Sequence, residues 1–317
     1  MNGHYEIAFV GVGSIGKRHL SNICRVLESR GDTLSVDLYR TGRGGELPAD
    51  ARHVITREYN YNAVVDSSKH YDAVFITNPT SLHYEAVVKF IGHARTFFIE
   101  KPVFGTIEID DNVLNQLDRI RTYVACPLRY NPVISYVKEN ISPNSVLSVR
   151  AISSSYLPDW RPGQDYRKCY SAHRDMGGGV DIDLIHEWDY LTWIFGIPQT
   201  CYSLIERVSN LEIESPDIAV YIGNIDNLVI ELHLDYFGRS AIRNLELFLY
   251  DDTLYCDILK GRIEYLKSGR SIQLDNSRNE YQVKEIEHFV NIIDSKIESD
   301  SDVRHALKVM KITQGLK

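Results

Sequence analysis

Three groups of residues have types and spacings suited to chemistry. Asp183, His186 and Tyr190 follow the run Gly177-Gly178-Gly179 at i, i+3 and i+7, a spacing that predicts one shared face of a single helix. A carboxylate one turn from an imidazole can orient it and raise its basicity, which suits a general acid/base at neutral pH. The plainer reading is a hydrogen-bonded structural histidine. Lys101, within Glu100-Lys101-Pro102, directly follows the apolar run 96–99 and so stands at the carboxyl end of a predicted strand. From there an ammonium can donate to a reacting oxygen and stabilise charge developing on it. Its alternative is an ordinary surface lysine. Segment 155–167 is too irregular for a strand and too apolar for a free linker, and is expected to cover a substrate. Trp160 and Tyr166 could stack on a sugar or a base there, and Arg161 and Arg167 could pair with a carboxylate or phosphate. A loop packed on its own aromatics is the competing expectation.

These groups need elements to position them. The apolar run 5–10 predicts a strand that feeds into Gly11-Val12-Gly13-Ser14-Ile15-Gly16 and then a helix carrying Leu20, Ile23 and Leu27. In that context the glycines serve a tight turn, close approach to a pyrophosphate and helix-to-strand packing, and the helix N-terminus receives phosphate. A second strand at 34–39 ends in Arg40-Thr41-Gly42-Arg43, where the adenosine ribose should sit. Asp37 falls inside that strand, so Arg40 and Arg43 favour the 2′-phosphate of NADP over the diol of NAD. Minor elements are expected at 54–55 and 63–65, a strand at 72–77 and a helix near 85–91. Asn78 and Pro79, with His83 soon after, shape the turn that leaves the strand at its ligand-binding end. A strand at 123–128 closes the first domain, and a helix at 133–139 follows Arg129-Tyr130-Asn131-Pro132.

At 317 residues the chain is long for one domain, so two are expected, 1–127 and 128–317, with the C-terminal helices free to pack back on the first. A formal charge of −8 without any Lys/Arg tract argues against general affinity for nucleic acid or an anionic membrane. Five scattered cysteines form no CxxC pair, so neither a disulfide framework nor a metal site is indicated. No leader or membrane span is apparent, and a cytoplasmic location follows by default.

From residue 146 the pattern alternates. Strands are expected at 146–152, 200–207, 218–222, 228–236, 243–250 and 253–258, then helices at 283–297 and 301–312. The predicted fold class is α/β: a Rossmann domain plus an α+β domain on a large, mostly antiparallel open sheet.

The set Gly11-x-Gly13-x-x-Gly16, Asn78-Pro79 with His83, Glu100-Lys101-Pro102 and the glycine-rich stretch with His186 resembles the Gfo/Idh/MocA oxidoreductases over nearly the whole chain. The resemblance implies NAD(P)-dependent redox chemistry, commonly on a sugar or cyclitol hydroxyl, with Lys101, Asp183 and His186 around the reacting carbon. It adds Glu100 and Arg129 to the cofactor cleft, and it implies a homodimer or homotetramer formed through the C-terminal sheet. The commoner family pattern places three residues between aspartate and histidine, whereas here Asp183 precedes His186 by two intervening residues and Asp181 by four. The helical face selects Asp183. The string from Asp183 to Tyr190 resembles a branch associated with surface-polysaccharide and acidic-sugar clusters, which points to a nucleotide-linked or acidic sugar. Two other functions stay open: NAD-dependent glycoside cleavage on the same fold, and a cofactor-sensing binding protein without catalysis.

Overall fold

A computed structural model describes residues 3–42 and 45–315, so Arg43 lies outside the described residues. The chain divides into two compact units. The first runs to Ala125 and takes in Gln282–Leu307; the second comprises Cys126–Tyr281 and the residues from Lys308 on.

In the first unit, strands β1 (His4–Val10), β2 (Thr33–Arg40), β3 (Ile55–Asn60), β4 (Ala73–Ile76), β5 (Thr96–Ile99) and β6 (Arg121–Val124) form a sheet in the order β3-β2-β1-β4-β5-β6. Every pairing is parallel. Helices α1 (Ser14–Ser29), α2 (His83–Phe90) and α3 (Asp111–Leu117) connect strands. β4 and β5 are buried at every position, as a parallel sheet covered on both faces requires. Phe9, Phe75 and Phe98 stack in sequence across the sheet at 4.4 and 4.8 Å, and Phe289 meets the last two edge-on. β3 departs from expectation. Its six residues, ITREYN, are mostly polar and none is fully buried, so no apolar period announces the strand, while 63–65 forms none.

The second unit contains α4 (Pro132–Asn140), β7 (Val146–Tyr156), α5 (Val180–Asp183), α6 (His186–Phe195), β8 (Thr200–Glu206), β9 (Ile218–Ile225), β10 (Leu228–Asp235), β11 (Phe237–Leu249), β12 (Thr253–Asp257), β13 (Arg262–Tyr265) and β14 (Ser271–Gln273). α7 (Arg278–Ile293) and α8 (Val303–Thr313) complete the chain. The eight strands run in the order β14-β13-β12-β11-β7-β10-β9-β8, antiparallel except for β7 with β10. One face is core: Val149, Ala151, Tyr221, Ile230, Leu232, Leu234, Leu245 and Leu247 are buried. Trp188 of α6 meets Tyr221 edge-on at 5.6 Å on this side. The opposite face leaves Tyr202, Leu204, Ile222, Val229 and Ile242 exposed. No helix among the described residues is long and apolar enough to cross a membrane.

Candidate functional site

β1 delivers the chain into the glycine turn with Gly11 at φ +78°, a conformation costly for any residue with a Cβ. A Cβ on Gly11 would also stand 2.6 Å from Cα of Asn78, so this turn packs directly on the loop after β4. Gly16 faces Thr77, whose Oγ1 would lie 2.6 Å from an added Cβ; that hydroxyl donates to the Gly11 carbonyl at 2.5 Å. Gly13 is the contrast. Nothing lies within 4 Å of its Cβ position, and it caps α1 without any side-chain hydrogen bond or acidic residue in the first turn. Exposed Gly13 and Ser14, with Ile15 behind them, therefore present free N–H groups and the positive end of a sixteen-residue helix to whatever binds there. The sterics divide the glycines as a dinucleotide site needs: two closed positions and one open.

At the end of β2, Asp37 is buried and accepts from Tyr71 Oη at 2.9 Å beside Lys69 Nζ at 2.9 Å, so it is a strand residue rather than a ribose ligand. Arg40 is half-buried and already engaged. Its Nε donates to Glu58 Oε2 at 2.9 Å and one Nη to the Gly45 carbonyl at 3.1 Å. Thr41 is exposed beside it.

Asn78 and Pro79 leave β4 beside the glycine turn, where the buried Asn78 Oδ1 has no hydrogen-bond partner among the described residues. His83 was expected at the cofactor but is 1% exposed. Its Nε2 faces the Asn78 carbonyl at 3.0 Å and its Nδ1 the carbonyls of Pro102 and Val103 at 3.1 and 3.2 Å. Burial holds its pKa below the usual histidine value. His83 is thus a brace between the loops that follow β4 and β5. Glu100 is also a brace. Its Oε1 lies 2.5 Å from His19 Nε2 on α1, and its Oε2 accepts the Lys101 N–H at 3.2 Å. Burial opposes its ionisation, but His19, Lys101 and His83 outweigh burial and hold the carboxyl below its ordinary value. Lys101 follows, half-buried, with a cis peptide bond to Pro102.

In the second unit the glycine-rich stretch is not one helix. Gly179 sits at φ +134°, α5 lasts one turn, and α6 starts afresh at His186 after Leu184 and Ile185. Asp183 thus ends one short helix and His186 begins the next, while His186 and Tyr190 stay four residues apart within α6. Tyr190 is wholly buried, and its hydroxyl has no hydrogen-bond partner among the described residues. Asp181 is buried against Arg174, whose Nη1 lies 2.8 and 2.9 Å from its two oxygens; burial outweighs that pairing and raises its pKa.

Asp183 has a different environment, one that its sequence neighbours do not announce. Its Oδ2 accepts from Tyr236 Oη at 2.6 Å, and Tyr170 is a second phenol donor. Burial first, and the adjoining carboxylate second, push both phenols up, so they stay protonated donors. Trp160 packs edge-on against Tyr236 at 5.2 Å and gives its Nε1–H to Ser155 Oγ. Arg161 lies over the Tyr170 ring at 5.3 Å. The 155–167 segment therefore roofs both phenols that hold Asp183. Farther along, its residues are engaged with one another and with Glu212. Arg167 pairs with Asp165 and Glu212, and Tyr166 Oη accepts from the Glu212 N–H. Arg129 is 1% exposed and holds Asp189 of α6 through Nε at 3.0 Å and Nη2 at 2.7 Å.

Comparison with known proteins fits this geometry. The family model described as "Oxidoreductase family, NAD-binding Rossmann fold" (GFO_IDH_MocA) matches residues 5–120. An uncharacterized oxidoreductase of Synechocystis sp. is 30% identical over 166 residues, which cover 50% of this chain and 43% of that protein. The chain thus spans under half the length of that relative in the match. Likeness of fold extends further. The UDP-N-acetylglucosamine 3-dehydrogenase GnnA from Acidithiobacillus ferrooxidans superposes with TM-score 0.76 at 19% identity, covering 99% of this chain and 98% of that one. The WlbA dehydrogenase from Bordetella pertussis, solved with NADH and UDP-GlcNAcA, gives 0.75 at 16% identity, covering 99% and 95%. The likeness to these two solved structures is one of fold.

Proposed function

We propose that this protein is an NAD(P)-dependent oxidoreductase that moves a hydride between nicotinamide and the carbon of a sugar-like alcohol or ketone, of nucleotide-linked or acidic sugar type, as in the assembly of surface polysaccharide. The observation that carries the reading is the glycine turn, closed at Gly11 and Gly16 and open at Gly13 over an uncapped helix N-terminus. The UDP-N-acetylglucosamine in the name of one superposed dehydrogenase and the UDP-GlcNAcA bound in the other support the substrate class.

A bound nicotinamide supplies the hydride acceptor in oxidation and the donor in reduction. The chain supplies the proton traffic. His186 takes the hydroxyl proton in oxidation and returns it in reduction, Asp183 orients the imidazole, and the Lys101 ammonium donates to the same oxygen. Asp183 suits that task because two protonated phenols fix its carboxylate. The exposed apolar face with Tyr202, Leu204 and Ile222 is proposed as the contact between copies in a homo-oligomer, which a monomeric mass in solution would refute.

Replacing His186 by Ala tests the assignment. Turnover on the sugar substrate should fall by about 100-fold or more, within the range for a lost general acid/base, with nucleotide affinity unchanged. Wild-type turnover in that variant would sink it.

A further inference from the structure

We infer that Glu58 is a positioning residue that sets the choice of dinucleotide by holding Arg40, so that the protein prefers NAD. The inference rests on the nicotinamide-nucleotide reading above. Arg40 is the last residue of β2, and its strand neighbour Tyr39 gives its carbonyl to the Gly11 N–H at 2.9 Å, which places Arg40 beside the glycine turn. In the parallel pairing of β2 with β3, Leu38 lies opposite Glu58 and Arg40 opposite Asn60. Side chains alternate along a strand, so Glu58 and Arg40 stand on the same face, two residues apart in register.

The guanidinium is engaged on three nitrogens. Nε and Nη2 reach Glu58 Oε2 at 2.9 and 2.8 Å, and Nη1 reaches the Gly45 carbonyl at 3.1 Å. A 2′-phosphate offers an arginine the same chemistry that Glu58 already gives it: anionic oxygens for a fork of N–H donors. It must therefore displace the carboxylate or stand beside it as a like charge. A ribose diol faces neither demand. Glu58 is free to move as a side chain because 45% of it is exposed, so its hold on Arg40 is a matter of charge more than of packing.

Other charges nearby do not undo this. Asp37 is buried with Lys69 and Tyr71, and Glu46 is an exposed partner of Arg52. Lys17 Nζ comes within 3.7 Å of the Cβ position of Gly45, on the loop that Arg40 also holds. With Glu58 neutralised, Arg40 and Lys17 would face that loop with no acid paired to either among the described residues, which is an arrangement for phosphate.

The test compares affinities for NAD and NADP by nucleotide titration of the wild type, E58Q and the double variant R40A/E58Q at one ionic strength. The wild type should bind NAD more tightly. E58Q should raise the NADP-to-NAD affinity ratio about tenfold, and R40A/E58Q should lose that gain. A wild type that prefers NADP overturns the inference. So does an E58Q ratio within twofold of wild type, or a parallel loss of both nucleotides, which marks a merely structural carboxylate. If the wild type binds neither nucleotide, the cofactor reading itself fails and this inference falls with it.

Discussion

Replacing Gly13 by Ala separates a binding role from a folding role more sharply than any other single change. At Gly13 the backbone has φ −77° and ψ −162°, an extended conformation open to alanine, and nothing lies within 4 Å of the new methyl. The unfolded chain loses entropy worth about 0.4–1 kcal/mol in favour of folding. Alanine is the poorer N-cap by a few tenths of a kcal/mol or more, so the net change should be within about 0.5 kcal/mol of zero. The methyl points into the open side that a pyrophosphate needs for close backbone approach. Losing that approach should weaken nucleotide binding by roughly 100-fold, about 2.7 kcal/mol at about 1.4 kcal/mol per tenfold. Thermal unfolding with and without nucleotide reads both effects. At ligand near 100 times the wild-type Kd, the ligand stabilises the wild type by about 2.7 kcal/mol, and the variant, then near its own Kd, by only about 0.4 kcal/mol. Wild type should gain several degrees in Tm, and the variant about one degree or less. Gly16→Ala is the control: its methyl would meet Thr77 Oγ1 at 2.6 Å and the Gly11 carbonyl at 2.9 Å, so it should lower Tm before any nucleotide is added. A Gly13→Ala protein that binds nucleotide like wild type, or that is itself unfolded, refutes the reasoning.

Two further outcomes concern buried pairs. Arg129→Ala leaves Asp189 without the guanidinium that holds both its oxygens, so denaturant unfolding should show a loss of about 3–5 kcal/mol; an intact fold with only nucleotide affinity reduced would restore Arg129 to the cofactor. Glu100 has its folded pKa below the ordinary glutamate value of 4.5, so it binds fewer protons folded than unfolded. Its stabilisation is present above pH 4.5 and lost as pH falls through the folded pKa. Glu100→Gln should therefore be less stable than wild type at pH 7, by about 1.5–3 kcal/mol for a charged hydrogen bond, with the gap narrowing below pH 4.5 in urea melts. A gap that is the same at both pH values would rule out the charge as its source.

Features written in consecutive residues were legible from sequence. The β1 strand, glycine turn and α1 follow from an apolar run, three glycines and a helical period, all within 5–29. The second sheet was legible from strand alternation, apart from the short β13 and β14. Partners distant in sequence were not legible. Arg129 meets Asp189 sixty residues away, and Asp183 meets Tyr236 fifty-three residues away, and no local pattern encodes either meeting. The break after Asp183 was equally hidden. Neither Leu184 nor Ile185 is a glycine or proline, so no residue at the interruption marks it. His83 and Glu100 were found as strand-end residues, but only the buried packing of His19 and the loop carbonyls shows them to be braces.

The roof over Asp183 also bears on how such a protein can diverge. Trp160 and Arg161 each cover one of the tyrosines that hold Asp183, so the segment proposed to meet substrate is the same one that sets the pose of that carboxylate. Substitutions in that segment cannot adjust selectivity alone, because each also perturbs the aim of a carboxylate that has not itself changed. Lineages that exchange substrates are then expected to alter the roof and the two tyrosines together, leaving the aspartate and histidine untouched.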